Sequence, residues 1–358
     1  MKHIFTIHSH ITFLAALGTI TREKLPTKDV LLICSSGYQP AIATSFKGKI
    51  VLSYDQEEAK NSLWKKMQTF NYTKSVNRYI EQLTNQEPYV AYVDLMSVFN
   101  RYLVMHSNCL QFHIIEEGIV NYGDYDDFRL WTADLRDFDW QWSGFSKWKQ
   151  ILNAVVRLLR GRSLRLLAMP VHPNLYTLHR GVNAYCFSDL AFQYTPKIQK
   201  KLLDWKAVLP LIDSKSKVYP DGSWFWIGDT LCKGYGVSMD DFENALQILM
   251  EQLNPQKEVR MMYLKFRGSE SDTEKKLTLT YLEKYNFEVK LLPSSEIMEL
   301  VFLKAQDLKV CGIVSSLLIY AHLMGHQTYS LYSYIPNTYG VTLHQSYASI
   351  SKKVGYII

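Results

Sequence analysis

The chain has 358 residues, 47% hydrophobic and 21% charged, a globular composition long enough for two domains with full cores. A net charge of +6 is too mild to indicate nucleic acid as a partner. The five cysteines, Cys34, Cys109, Cys186, Cys232 and Cys311, are scattered without CxxC or Cys/His ligand spacing, so neither a zinc site nor a disulfide framework is indicated.

The first segment, Met1-Lys2-His3-Ile4-Phe5-Thr6-Ile7-His8, is interrupted by histidines and lacks a small-residue cleavage site, so it does not read as a signal peptide. A strand is expected over 4–7. Ser9 and His10 then open a helix with apolar spacing over 11–20, Ser9 being a natural N-cap. Strands follow over 30–34 and 49–53, helices over 57–68 and 73–83, and strands over 89–95 and 111–115. This alternation predicts a parallel sheet with helices on both faces. The stretch 121–142 is irregular, acidic and aromatic, and reads as a surface loop pinned by its aromatics or, second, as a mobile acceptor loop. A helix over 148–159 runs into Arg157, Arg160, Arg162 and Arg165, either a solvated face or a contact for anionic lipid. Strands are expected over 164–169 and 184–187. The lysine- and proline-bearing stretch 193–217 reads as a linker without a β run.

A second βα series comes next. Strands are expected over 224–227, 258–265, 287–291, 308–314 and 329–331, with helices over 239–252, 272–284, 295–304 and 316–323. The spacing predicts an α/β chain of two Rossmann-like domains facing each other across a cleft, residues 1–200 and 215–358. The longest apolar run, 313–324, contains Ser315, Ser316 and His322 and is too short to span a bilayer. A cytoplasmic location fits, in a reducing compartment.

Three groups of residues carry chemistry. Ile114-Ile115-Glu116-Glu117-Gly118 ends a strand in paired carboxylates, where a general base would serve and where adjacent charges raise each other's pKa. The bland reading is a helix cap or surface turn. Val310-Cys311-Gly312-Ile313-Val314-Ser315-Ser316 runs from a strand into a helix N-terminus, a natural anion site. Lys265-Phe266-Arg267-Gly268 follows a strand and is either a solvated turn or a source of positive charge for a leaving phosphate. No GxGxxG, GxxxxGK[ST] or GxSxG is present, so dinucleotide, P-loop and hydrolase readings lack support.

These motifs, in this order, resemble the bacterial sialyltransferases and polysialyltransferases of GT-B fold that use CMP-sialic acid to build lipooligosaccharide and capsule. Trp226-Ile227-Gly228-Asp229-Thr230-Leu231 is similar to that family's strand ending in Ile-Gly-Gln-x-Leu. The segment 292–300 is similar to the one whose glutamate holds the cytidine ribose, and the helix from Ser9 also fits. The chain departs where the family has His-Pro and it has Arg267-Gly268; arginine supplies charge but does not release its proton. The resemblance implies Glu116 or Glu117 as base and Arg267 at the leaving phosphate. It implies donor binding by Gly228, Asp229, Lys265, Arg267, Glu296 or Glu299, Ser315 and Ser316, and places Ser9, His10 and Gly118 on the acceptor side. It also implies a CMP-sugar donor, a glycan acceptor, no metal or other cofactor, no nucleic acid and at most peripheral contact with the inner membrane. Two rivals stand beside it: a GT-B enzyme with a nucleoside-diphosphate donor, and a non-catalytic glycan-binding protein.

Overall fold

The computed structural model describes residues 1–35, 37–54, 72–94, 98–122, 181–192, 198–212, 218–232, 236–313 and 315–336. The helices expected over 57–68 and 148–159, the strand over 164–169, the arginines at 157, 160, 162 and 165 and nearly all of the acidic loop lie outside them. The chain divides into two compact units, Met1–Ser214 and Lys215–Ile358.

In the first unit, strands β1 (Lys2–Ile7), β2 (Val30–Cys34), β3 (Lys49–Leu52), β4 (Tyr89–Val93), β5 (Cys109–Ile115), β6 (Asn183–Cys186) and β7 (Gln199–Leu202) form one sheet in the order β3-β2-β1-β4-β5-β6-β7. Every ladder in it is parallel. The central strands β2 and β4 are buried at every residue, as strands covered on both faces must be. The edge strands β3 and β7 are half exposed and carry lysines, which blunt an open edge. Helix α1 (His10–Arg22) is apolar all round and buried from Ile11 to Ile20, the pattern of a core helix. Its start is fixed by a capping box in which Ser9 and Thr12 bond each other's backbone N–H. Helices α2 (Tyr72–Thr84) and α3 (Val98–Met105) complete the described part of this unit.

Two expectations for this unit are corrected. The stretch read as a linker without a β run contains β7 and a 3-10 turn at Lys206–Leu211. Lys200 and Lys201 belong to an edge strand paired in register with β6, not to a tether. Helix α3, absent from the sequence reading, buries Phe99, Tyr102 and Leu103 at helical spacing, with Asn100 and Arg101 buried between them. Its β-prone residues conceal that helical spacing.

In the second unit, β8 (Trp224–Ile227), β9 (Arg260–Lys265), β10 (Phe287–Leu291), β11 (Lys309–Gly312) and β12 (Gln327–Ser330) form an all-parallel sheet in the order β10-β9-β8-β11-β12. Helix α4 (Met239–Leu253) buries Phe242, Ala245, Leu246, Leu249, Met250 and Leu253, one face at helical spacing. Helix α5 (Asp272–Lys284) starts at a capping box, Ser271 with Glu274. Helices α6 (Met298–Lys304) and α7 (Ser316–Leu323) flank β11. Both sheets reverse their direction of growth once, between β1 and β4 in the first and between β8 and β11 in the second. In open α/β sheets, ligands bind beyond the carboxyl ends of the strands at such a reversal.

Candidate active site

The acidic pair that ends β5 splits into two environments. Glu116 has no exposed surface; its carboxylate accepts from the Tyr122 hydroxyl (2.6 Å) and the Phe187 N–H (2.7 Å). It ties the end of β5 to the chain leaving β6 and has no open face for a ligand. Glu117 follows β5, one strand out from the reversal between β1 and β4. Asn121 Oδ1 accepts from the backbone N–H of Glu117 (2.6 Å) and of Gly118 (3.2 Å), pinning the turn that carries it. Gly118 sits at φ +154°, a conformation that side chains resist, with open space where a Cβ would stand.

Glu117 does not meet Glu116. It meets His8, the first residue after β1, whose Nε2 is 3.4 Å from Glu117 Oε1. The other imidazole nitrogen, Nδ1, is 3.2 Å from Oδ2 of Asp94, the first residue after β4. Three adjacent strands, β1, β4 and β5, thus each contribute one polar side chain at their carboxyl ends. Burial raises the pKa of Glu117 and the nearby Asp94 charge adds to this, while His8 opposes it. The charge expected from Glu116 comes instead from Asp94. Burial works against a charged His8, but its bonds to Asp94 and Glu117 prevail and push its pKa up to about 10. The three ligand atoms lie within 4.8 Å of one another, close enough for a metal ion to bridge. Each imidazole nitrogen, however, already faces its own carboxylate.

Ser9 and His10 serve the start of α1. Ser9 Oγ accepts from the Thr12 N–H, and His10 Nδ1 lies 2.9 Å from the Tyr38 hydroxyl. The backbone N–H of His8 donates to Thr12 Oγ1 (3.1 Å), so the same cap fixes the chain carrying the imidazole.

In the second unit the sequence-selected residues lie at or beyond the carboxyl ends of β8, β9, β10 and β11. Arg267 Nη1 donates to Oδ1 of buried Asp229 at 2.6 Å, while its side chain stays 58% exposed. Lys265 reaches the backbone carbonyls of Ser294 (3.2 Å) and Glu296, bracing the loop between β10 and α6; burial lowers its pKa. Glu296 is buried, its Oε2 3.5 Å from the Tyr219 hydroxyl. Burial lifts the Glu299 pKa to about 7, with Lys265 opposing. Ser315 caps α7, its Oγ accepting from the Leu317 N–H, and Ser316 is the first helical residue. Gly228 permits a close approach: a Cβ there would lie 2.2 Å from Glu270 Oε2.

The sequence reading missed His8, Asp94 and Glu270. The first two had a readable signal, since each is the first polar residue after an apolar strand. Glu270 gave none, because its burial depends on the turn after β9.

No protein-family model matches the sequence, and no curated protein matches it. Among solved structures, a Photobacterium 2,6-sialyltransferase in complex with CMP and lactose superposes with a TM-score of 0.52 at 11% identity, over 99% of this chain and 76% of that one. A sialyltransferase from Photobacterium damsela gives 0.48 at 13% identity, over 99% and 80%. MurG of Acinetobacter baumannii gives 0.40 at 11% identity, over 100% and 85%. At such identities only the fold is compared, and the first match carries it: the fold is α/β of the GT-B type. Among the described residues no helix is long and apolar enough to cross a membrane.

Proposed function

We propose that this chain is a glycosyltransferase that moves sialic acid, or a related nonulosonic acid, from a CMP donor to a hydroxyl of a surface glycan such as lipopolysaccharide or capsule. The observation that carries the reading is the position of Glu117, at the carboxyl end of β5 beside the reversal of the first sheet, with an imidazole against it. A carboxylate so placed suits abstraction of a proton from an acceptor hydroxyl. The freed oxygen attacks the anomeric carbon, the bond to the phosphate oxygen breaks, and CMP departs with the electron pair.

The second unit binds the donor in this reading. Ser315, Ser316 and the first amides of α7 take the phosphate, with Arg267 adding positive charge as it builds on the leaving group. Glu296 takes the ribose, on a loop held by Lys265. Protein cations and amides offset the phosphate charge without a metal. Glu116, fully engaged in the core, is a structural member of the site and not the base.

The test is a pair of measurements on the full chain. CMP should raise the melting temperature more than UDP does. Glu117→Gln should keep that CMP shift while losing transfer by about 100-fold or more with a CMP-sugar and a glycan acceptor. Stabilisation by UDP alone would overturn the donor assignment. Unchanged transfer in Glu117→Gln would remove the base, and no turnover in the wild type with any CMP-sugar would favour a binding protein.

A further inference from the structure

Both nitrogens of the His8 ring face carboxylate oxygens, Asp94 on one side and Glu117 on the other. A neutral imidazole has one N–H and one lone pair, so it would set that lone pair against a carboxylate lone pair. Only the imidazolium offers a donor to each side. We infer that His8 is a positioning residue charged throughout the neutral range, held as an imidazolium by Asp94, which keeps Glu117 ionised and aimed at its substrate. The role in turnover rests on the reading of Glu117 as a base; the charged pairing of His8 with Asp94 does not.

The electrostatics require such a group. Glu117 is only 17% exposed at its side chain and has a second carboxylate, Asp94, close by. Burial and a like charge both favour its neutral form, and a neutral carboxyl accepts no proton. Among the described residues, the charged groups facing the imidazole are Asp94 from the end of β4 and Glu117 from the end of β5. Asp94 is buried, with its side chain 2% exposed, and so holds the ring in a medium of low polarity. The backbone of His8 is held by Thr12. Asp94 therefore acts at second hand: it secures the cation that secures the base.

Two measurements on the full chain test this. The first follows the ring of His8 by NMR in isotope-labelled protein, the signal being assigned by its loss in His8→Gln. His8 should remain charged through pH 8 in the wild type, and its midpoint should fall by a unit or more in Asp94→Asn. A wild-type midpoint near 6.5, or no movement in Asp94→Asn, would overturn the inference. So would a melting-temperature gain from Mn2+ or Zn2+ alone that disappears in His8→Gln, because the three residues would then be metal ligands.

The second measurement is the pH dependence of transfer from a CMP-sugar. In His8→Gln the acid limb of kcat should move up by a unit or more, with kcat recovering at high pH and KM for the donor unchanged. A uniform loss of rate at every pH would mean that His8 merely supports the fold, and would overturn the role in turnover. Should Glu117→Gln retain transfer while the NMR result holds, the base assignment fails and the charged pairing stands.

Discussion

Glu270 has one carboxyl oxygen in use, accepting the Arg267 N–H at 3.2 Å, and another that is buried with no hydrogen-bond partner in the structure. Burial raises its pKa from 4.5 to about 7, with Glu274 and Asp229 adding to the rise and the Arg267 N–H and Lys275 opposing it. The folded chain therefore binds a proton between those two values that the unfolded chain has released. Stability from this group is complete below pH 4.5 and falls away as pH rises to 7, by roughly 3 kcal/mol in all. Glu270→Gln, which is neutral at every pH, should flatten the fall in unfolding free energy between pH 5 and pH 8 and be the more stable form at pH 8. Denaturant titrations at the two values check this, and equal slopes for the two proteins would mean that the carboxyl is charged when folded. At this scale the sequence was a partial guide. It pointed to the Glu116-Glu117 pair but gave both residues the same task, because strand-end spacing does not reveal that Tyr122 and Phe187 close over one of them.

Among elements, the junction of β11 and α7 is closely packed. A Cβ at Gly312 would lie 2.7 Å from the carbonyl oxygen of Ile227 on the paired strand β8, and 3.4 Å from Leu318 of α7. Backbone cannot move aside as a side-chain tip can. Gly312→Ala should cost about 1–3 kcal/mol, read as a lower denaturant midpoint, and should weaken CMP binding because the cap at Ser315 shifts with it. Unchanged stability would show that the two strands separate freely. Periodic signals were good guides here: α5, α7, β2, β8 and β10 have the bounds that their apolar spacing and caps predict. Serine before an acidic first turn, as at Ser271, is a strong local signal. The misses were α3, where β-prone residues fill a short helix, and β7, whose polar edge character looks like a linker when pairing is invisible.

At the scale of the whole chain, the two units share one plan: a parallel sheet that grows outward in one direction and then reverses. The alternation of strands and helices made this α/β plan legible, since short parallel connections require it. The last strand of the first sheet, β7, was not legible, because it looked unlike the others. The division of labour proposed for the units makes a spatial prediction. CMP should slow hydrogen exchange around 228–231, 265–270 and 312–317, the carboxyl ends of β8, β9 and β11, while leaving the ends of β2 and β3 unchanged. Exchange mapped by mass spectrometry on the full chain checks it, and protection confined to the first unit would reverse the assignment of donor and acceptor sides.

The neighbouring glutamates at 116 and 117 carry a lesson about spares. Two identical letters side by side look redundant, yet one anchors a buried turn and the other stands beside an imidazole. Successive side chains in an extended chain point to opposite sides, so a one-residue deletion in β5 would draw Glu117 into the buried post of Glu116 and leave Gly118 beside the imidazole. The buried anchor would be kept and the carboxylate facing His8 lost, with the composition almost untouched.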